Sequence, residues 1–315
     1  MIDEIYKLLL LIILTIYILS CIKSSDENLT EKEIIKIALC TIGKKENLYV
    51  EEFIEYYIKL GVDKMFIYDD NDPFTEKMED VIDPKYKNKV SFMETKKLKL
   101  GHQSLALTHC YQSNYKNFDW FIMVDMDEFL YIINNTLKNY LSNNVFDKCD
   151  FIKIHWMNSR DNNLLYYDPR SLFVRFKEPY IKLNGIKSII RGNITNLKYW
   201  VHSPKISPEK NITCDNEGNI LTYQKLNFET IDKININKAY LIHFKYKSTE
   251  EFINKYKRGY SNWYGNKTSQ AMQAKLRDYF SQNEITLEKI NLIEKELKLN
   301  LSYYRNQLNT SNNTK

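Results

Sequence analysis

Phe118-Asp119-Trp120-Phe121-Ile122-Met123-Val124-Asp125-Met126-Asp127-Glu128-Phe129-Leu130 starts as a run of large apolar side chains and ends in three carboxylates within four positions. The apolar half predicts a strand buried on both faces, as where helices cover both sides of a parallel sheet. The carboxylates fall where that strand ends, and ligands of open α/β sheets bind at the carboxyl ends of the strands. Asp125 and Asp127 are two positions apart, so in extended backbone their side chains share a side. Such a pair suits a hard divalent cation that keeps positions open for phosphate oxygens. A solvated acidic turn is the plainer reading of Asp-Met-Asp. Against it, apolar residues bracket the acids on both sides, and unpaired carboxylates are costly to hold against a core.

Working outward toward the N-terminus, the pattern is strand, helix, strand. Ile34 to Ile42 is an apolar strand. Asn47 can cap a helix in which Val50, Phe53, Ile54, Tyr57 and Ile58 repeat at helical spacing, with Gly61 as its stop. Lys64 to Tyr68 is the next strand, ending in Asp69-Asp70-Asn71-Asp72-Pro73. A βαβ unit implies a largely parallel central sheet of Rossmann-like type. The glycine-rich turn of a dinucleotide site and the P-loop pattern are both missing, so a phosphate would be held through metal and side chains.

Lys89 to Glu94 is a third strand, and Gln103 to Tyr115 a helix. Beyond the acids, Phe151 to Trp156, Ser171 to Lys177 and Ala239 to Tyr246 read as strands, the last containing His243. Lys187-Ser188-Ile189-Ile190-Arg191 alternates, so Lys187 and Arg191 lie on one side. Ser248 and Glu251 form a capping box for a helix through Arg258, and Ser269 to Leu299 reads as helical. The expected organisation is residues 1–33 as a short signal anchor and stem, 34–247 as the α/β domain, 248–299 as a helical C-terminal extension and 300–315 as a polar, frayed tail.

Leu8 to Ile22 is apolar apart from Thr15 and Ser20, short for a bilayer span of about 20 residues. It is expected to be an uncleaved membrane anchor with a lumenal catalytic part, a cleaved signal being the second reading. That placement points to a secretory-pathway membrane of Golgi or ER type, with a bacterial membrane-associated or cytoplasmic protein as the alternative. Cys40, Cys110, Cys149 and Cys214 could pair in such a compartment, although buried free thiols are equally ordinary. The net charge of +5 comes from interspersed residues with no long basic block, which argues against a nucleic-acid partner.

Taken together, the chain resembles the GT-A class of nucleotide-sugar glycosyltransferases, in particular glycosyltransferase family 92 and related family 2-like enzymes. The resemblance runs over roughly residues 36 to 260. It is carried by Asn47 with Glu52-Phe53, Tyr56 and Gly61; Ile67-Tyr68-Asp69-Asp70-Asn71; Gln103; Trp120 with Asp125 to Leu130; Ile154-His155-Trp156; Lys187 to Arg191; Val201-His202; and His243 with Lys255 and Lys257-Arg258-Gly259. The loop after Trp156 reads Met-Asn-Ser-Arg-Asp, and His243 is followed by Phe-Lys-Tyr, both departures from the family pattern.

The resemblance implies transfer of a sugar, a hexose in expectation, from a nucleotide-diphosphate sugar to a glycan or glycoconjugate, with Mn²⁺ or Mg²⁺ as cofactor. Asp127 would hold the metal, with Asp125 at the metal or ribose and His243 as a further ligand, His202 being its rival. Asp69 would face the nucleoside, and Lys187 and Arg191 the diphosphate. Inversion needs a carboxylate base: Asp161 is the candidate, with Glu128 and Asp168 as rivals. A non-catalytic glycan-binding protein on the same fold is the alternative. A metal-dependent phosphoester hydrolase is a third reading, disfavoured by five scattered histidines.

Overall fold

The computed structural model describes residues 35–100, 102–177, 180–205, 210–221, 233–258 and 269–312. The apolar run from Leu8 to Ile22, and with it the expected anchor, lies outside the described residues. Among those described, no helix is long and apolar enough to cross a membrane.

Among the described residues nine strands form one sheet: β1 (Ile37–Gly43), β2 (Lys64–Asp69), β3 (Val90–Glu94), β4 (Trp120–Met123), β5 (Glu128–Ile132), β6 (Phe151–Asn158), β7 (Ile181–Arg191), β8 (Thr213–Cys214) and β9 (Ala239–His243). The order is β3-β2-β1-β4-β7-β6-β9-β5, with β8 on β6. The half from β3 to β4 is parallel, as the strand-helix-strand pattern requires. The other half corrects the expectation of a largely parallel sheet. β7 is antiparallel to both β4 and β6, and β5 is antiparallel to β9, while β6 runs parallel to β8 and β9. Between β4 and β5 lie only residues 124 to 127. That is too short for a parallel crossover, which needs a dozen or more residues, and both edges of β4 are already taken by β1 and β7, so β5 pairs with β9 instead.

The principal helices are α1 (Val50–Leu60), α2 (Gln103–Asn114), α3 (Leu137–Leu141), α4 (Leu172–Arg175), α5 (Thr249–Arg258), α6 (Ser269–Gln282), α7 (Leu287–Leu297) and α8 (Ser302–Asn312). Gly61 closes α1 in the left-handed conformation at φ 110°, its N–H reaching Ile58 and Tyr57. Asn47 does not cap α1; its amide donates to Glu76 and Lys77 across the loop after β2. Ser171 to Lys177, read as a strand, instead contains α4. Ser171 accepts the Phe173 N–H, and Glu52 takes the Leu172 N–H at 3.0 Å, so a capped turn displaces the extended form.

Every residue of β4 is buried. Phe121 and Met123 pack with Cys40, Cys110, Tyr111 and Ile190 in one apolar cluster. Disulfides join Cys40 of β1 to Cys110 of α2, and Cys149 to Cys214 of β8. A second cluster gathers Tyr246, Phe252, Leu276, Tyr279, Ile290 and Leu301 from α5 to α8. The tail expected to fray is helical from Ser302 to Asn312, because Leu301 and Tyr304 are drawn into this cluster. Residues 36–315 belong to one compact unit, so within its described part the C-terminal helices continue the domain.

Candidate active site

β4 stops at Met123 and β5 starts at Glu128, and the acids sit in the turn between them. The turn is closed by the Glu128 N–H donating to the Asp125 carbonyl at 3.1 Å and by the Asp125 N–H donating to Glu128 Oε2 at 2.9 Å. The backbone is therefore not extended here, and the two aspartates part company. Asp125 Oδ2 meets Lys187 Nζ at 2.9 Å, and its Oδ1 accepts from Gln103 Nε2. Asp127 Oδ2 meets Lys255 Nζ at 2.5 Å, while Oδ1 lies 3.6 Å from His243 Nε2. The Phe244 N–H donates to the Asp127 carbonyl at 2.8 Å, which seats the turn against the end of β9.

Electrostatics separates Asp127 from Glu128. Burial acts to raise the Asp127 pKa, but Lys255 and then His243 hold it well below the carboxylate range. Glu128 is fully buried, and burial pushes its carboxyl well above that range against the opposing pull of Lys187; Asp125 and Asp127 push it further. Its Oε1 has no hydrogen-bond partner among the described residues. Glu128 thus holds the turn from beneath. Burial lowers the His243 pKa, with Asp127 acting against it, and lowers that of His202 to about 3, with Lys187 adding to the effect.

A cleft of about 570 Å³ opens above the turn. Asp125, Met126 and Asp127 line it together with Gln103, Trp156, His202 and His243. Its other charged lining residues are mostly basic: Lys44, Lys245, Lys255, Arg258 and Lys275, with Glu46 and Asp278 among them. Lys255 and Arg258 belong to α5, which is set at both ends. Ser248 and Glu251 make the expected capping box, with Ser248 Oγ donating to Glu251 Oε2 at 2.7 Å. At the other end Arg258 pairs with Glu46 and donates to the Lys45 carbonyl at 2.8 Å.

Trp156 forms part of the wall, its ring centroid 4.9 Å from that of His243 and 5.2 Å from that of His202. The β6–β7 register slips here: His155 faces Ile186 and Met157 faces Lys182, so Trp156 stands opposite the bulged residues 183 to 185. Gly185 lies directly under the indole. A Cβ on it would come within 1.9 Å of Trp156 Cε3. The indole Nε1 is buried without a hydrogen-bond partner among the described residues, as are His202 Nδ1 and His243 Nδ1.

Of the residues singled out from sequence, the structure gathers Asp125, Asp127, His202 and His243 in the cleft and Lys187 and Glu128 immediately behind it. Asp69 is not among the lining residues. Its carboxylate accepts the N–H groups of Asn71 and Met78, each at 2.8 Å, and so shapes the loop after β2. Arg191 shares a face with Lys187 but pairs with Trp120 at the start of β4, whereas Ser188 pairs with Met123 at its end. Four residues of strand put them about 13 Å apart, and Arg191 donates to the Cys149 carbonyl at 2.8 Å. Asp161 is buried away from the cleft, its Oδ2 2.7 Å from Lys289 and 2.5 Å from the Tyr279 hydroxyl. Asp168 pairs with Arg170 on the surface. Sequence reasoning missed Glu46, Lys245, Lys275 and Asp278. The basic last turn of α5 and the lysine two residues after His243 were the available signals.

Among the described residues no group of three or more His, Cys, Asp or Glu is assembled to hold an ion. Asp127 and His243 supply two donors, one oxygen and one nitrogen. That is too few for a cation caged by protein alone, and it fits one that takes the rest of its shell from phosphate oxygens and water.

A family model, glycosyltransferase family 92, matches residues 35–280, a span that includes every strand and every residue lining the cleft. The chain is also similar to a glycosyltransferase family 92 protein of Oryza sativa subsp. japonica, with 28% identity over 109 residues. Those residues are 34% of this chain and 18% of that protein, so the chain spans under a fifth of the length of this curated relative. With the match running from the first strand to the basic wall of the cleft, the chain belongs to glycosyltransferase family 92.

Proposed function

We propose that this glycosyltransferase is a metal-dependent inverting enzyme that moves a hexose from a nucleotide-diphosphate sugar to a hydroxyl of a glycan or glycoconjugate. The observation that carries the reading is Asp127 beside His243 in a cleft otherwise rich in Lys and Arg. A nucleotide diphosphate is an anion, and it becomes more negative as the glycosidic bond breaks. Lys44, Lys255, Lys275 and Arg258 are placed to bind that charge. Asp127 and His243 would hold Mn²⁺ or Mg²⁺, which supplies Lewis-acid stabilisation of the leaving diphosphate. Lys187 pairs with Asp125 at the base of the cleft and is not spent on phosphate.

The acceptor must lose a proton to a carboxylate as its oxygen attacks the anomeric carbon. Asp161 is committed elsewhere. Of the carboxylates lining the cleft, Asp125, Asp127 and Glu46 are held within the donor side. We assign the base to Asp278 on α6, half-buried and 2.6 Å from Lys245. Burial raises its pKa, but Lys245 outweighs burial and keeps it ionised, as a base must be. The two disulfides and the apolar N-terminal run support a secretory-pathway location with membrane attachment through that run.

The test is a panel of nucleotide sugars with Mn²⁺, following release of free nucleotide with and without glycan acceptors, and the anomeric configuration of the product by NMR. Acceptor-stimulated release that a chelator abolishes is expected. Glycan binding with no release from any donor would favour the non-catalytic alternative. Gly185→Ala is expected to lower transfer roughly tenfold, about 1.4 kcal/mol, because the added methyl displaces the Trp156 ring from the cleft wall. Steady-state kinetics checks it, and an acceptor KM unchanged along with kcat would remove Trp156 from the site.

A further inference from the structure

We propose that the C-terminal helices carry a second carbohydrate-binding groove, apart from the active-site cleft, which holds glycan through Tyr303 and Arg277. The identity of the ligand class rests on the transferase reading; the groove itself does not. It has a volume of about 480 Å³ and is lined by α6, the segment after it and the first turns of α8. Most of its lining lies beyond residue 280, where the family match ends.

The floor is built from Phe280 and Tyr304, both buried in the helical cluster, with ring centroids 4.4 Å apart. The next ring behaves differently. Tyr303 is 65% exposed, stands at 81° to Tyr304, and has its hydroxyl fixed by Gln307 Nε2 at 3.0 Å. The core does not need this ring, yet it is held in one orientation. Arg277 on α6 is exposed and has no ion-pair or hydrogen-bond partner among the described residues. Gln273 and Asn300 add planar amides. The Asn300 carbonyl oxygen is occupied by the Ser302 N–H at 2.9 Å, which leaves its NH₂ to donate.

A sugar ring presents an apolar C–H face and a rim of hydroxyls. It is bound by an aromatic face flanked by planar donors and acceptors, which is the chemistry found here. A partner helix would need a continuous apolar stripe, whereas here Ile285, Leu301 and the rings are interrupted by amides, a guanidinium and a hydroxyl. Among the described residues no carboxylate lines the groove, so acidic sugars meet no like charge there, and Arg277 can take a uronate carboxylate as a bidentate pair. The class is therefore glycan, with uronate-bearing chains held more tightly than neutral ones. Holding one part of a glycan outside the cleft raises the local concentration of the remainder.

The test uses the full chain, without donor, on an array of immobilised neutral and uronate-bearing oligosaccharides. Wild type is expected to bind; Tyr303→Ala and Arg277→Ala should each weaken binding about tenfold, while Tyr303→Phe stays within about threefold of wild type. Asp127→Asn, altered in the cleft, should bind the array as wild type does. Tyr303→Ala should release nucleotide from donor in water at the wild-type rate, with an unchanged unfolding midpoint. No retention of any oligosaccharide, wild-type binding by Tyr303→Ala, or loss of binding in Asp127→Asn would each overturn the proposal. Failure of the transferase reading would appear separately, as no nucleotide release from any donor.

Discussion

Asp127→Asn is expected to cut sugar transfer at least about a hundredfold, roughly 2.7 kcal/mol of transition-state stabilisation. The substitution keeps the size of the side chain and removes the charge that would hold a cation against the diphosphate. It also weakens the one carboxylate that Lys255 and His243 both face. Rates measured with nucleotide sugar and Mn²⁺ well below the unfolding temperature read this directly, and the thermal shift given by that mixture should vanish. The sequence suggests an exposed strand-end acid whose loss leaves stability unchanged, but Asp127 is only 6% exposed and paired at 2.5 Å. Lys255 keeps its bond to the Lys245 carbonyl at 3.1 Å, so the variant should lose about 1–3 kcal/mol of stability rather than unfold. A variant that keeps both rate and shift would reduce Asp-Met-Asp to a structural turn.

Half of this fold can be read from the chain because half of it is local. β1, α1 and β2 follow one another as apolar run, amphipathic repeat and apolar run, and parallel pairing comes with that order. The other half depends on which distant strand β4 and β5 find. Nothing in the residues of β7 says that it runs antiparallel between β4 and β6, since alternation reports a face and not a neighbour. The same limit explains Lys187 and Arg191. Period two places them on one side, but only the register with β4 shows that Lys187 reaches Asp125 while Arg191 sits at the far end. Asp127 and His243 could be singled out in the chain because each stands in or beside an apolar run that reads as a strand. The lysines of the cleft could not, because lysine is the usual residue of a solvated helix face and only packing turns Lys245, Lys255 and Lys275 toward one space.

Lys289→Met is expected to destabilise the fold by about 3–5 kcal/mol, the cost of leaving one member of a buried ion pair without its partner. Lys289 has no solvent exposure, and its ammonium lies 2.7 Å from Asp161 Oδ2, 2.7 Å from Asn163 Oδ1 and 2.9 Å from the Glu284 carbonyl. Methionine fills much of the same volume but donates nothing, so among the described residues the Asp161 carboxylate would keep Tyr279 Oη and the Asn163 N–H as donors. Urea unfolding should show a lower midpoint with an unchanged slope. Pairing the change with Asp161→Leu should recover most of the loss, because the double variant removes both charges together. The same pair bears on catalysis. An acid tied to α6 and α7 in this way fastens α6, the helix that carries Lys275 and Asp278, and it does not itself face the cleft. Asp161→Asn, assayed at a temperature where it is folded, is therefore expected to retain transfer within about threefold. A folded Asp161→Asn that has lost transfer would return the acceptor's base to Asp161 and remove it from Asp278.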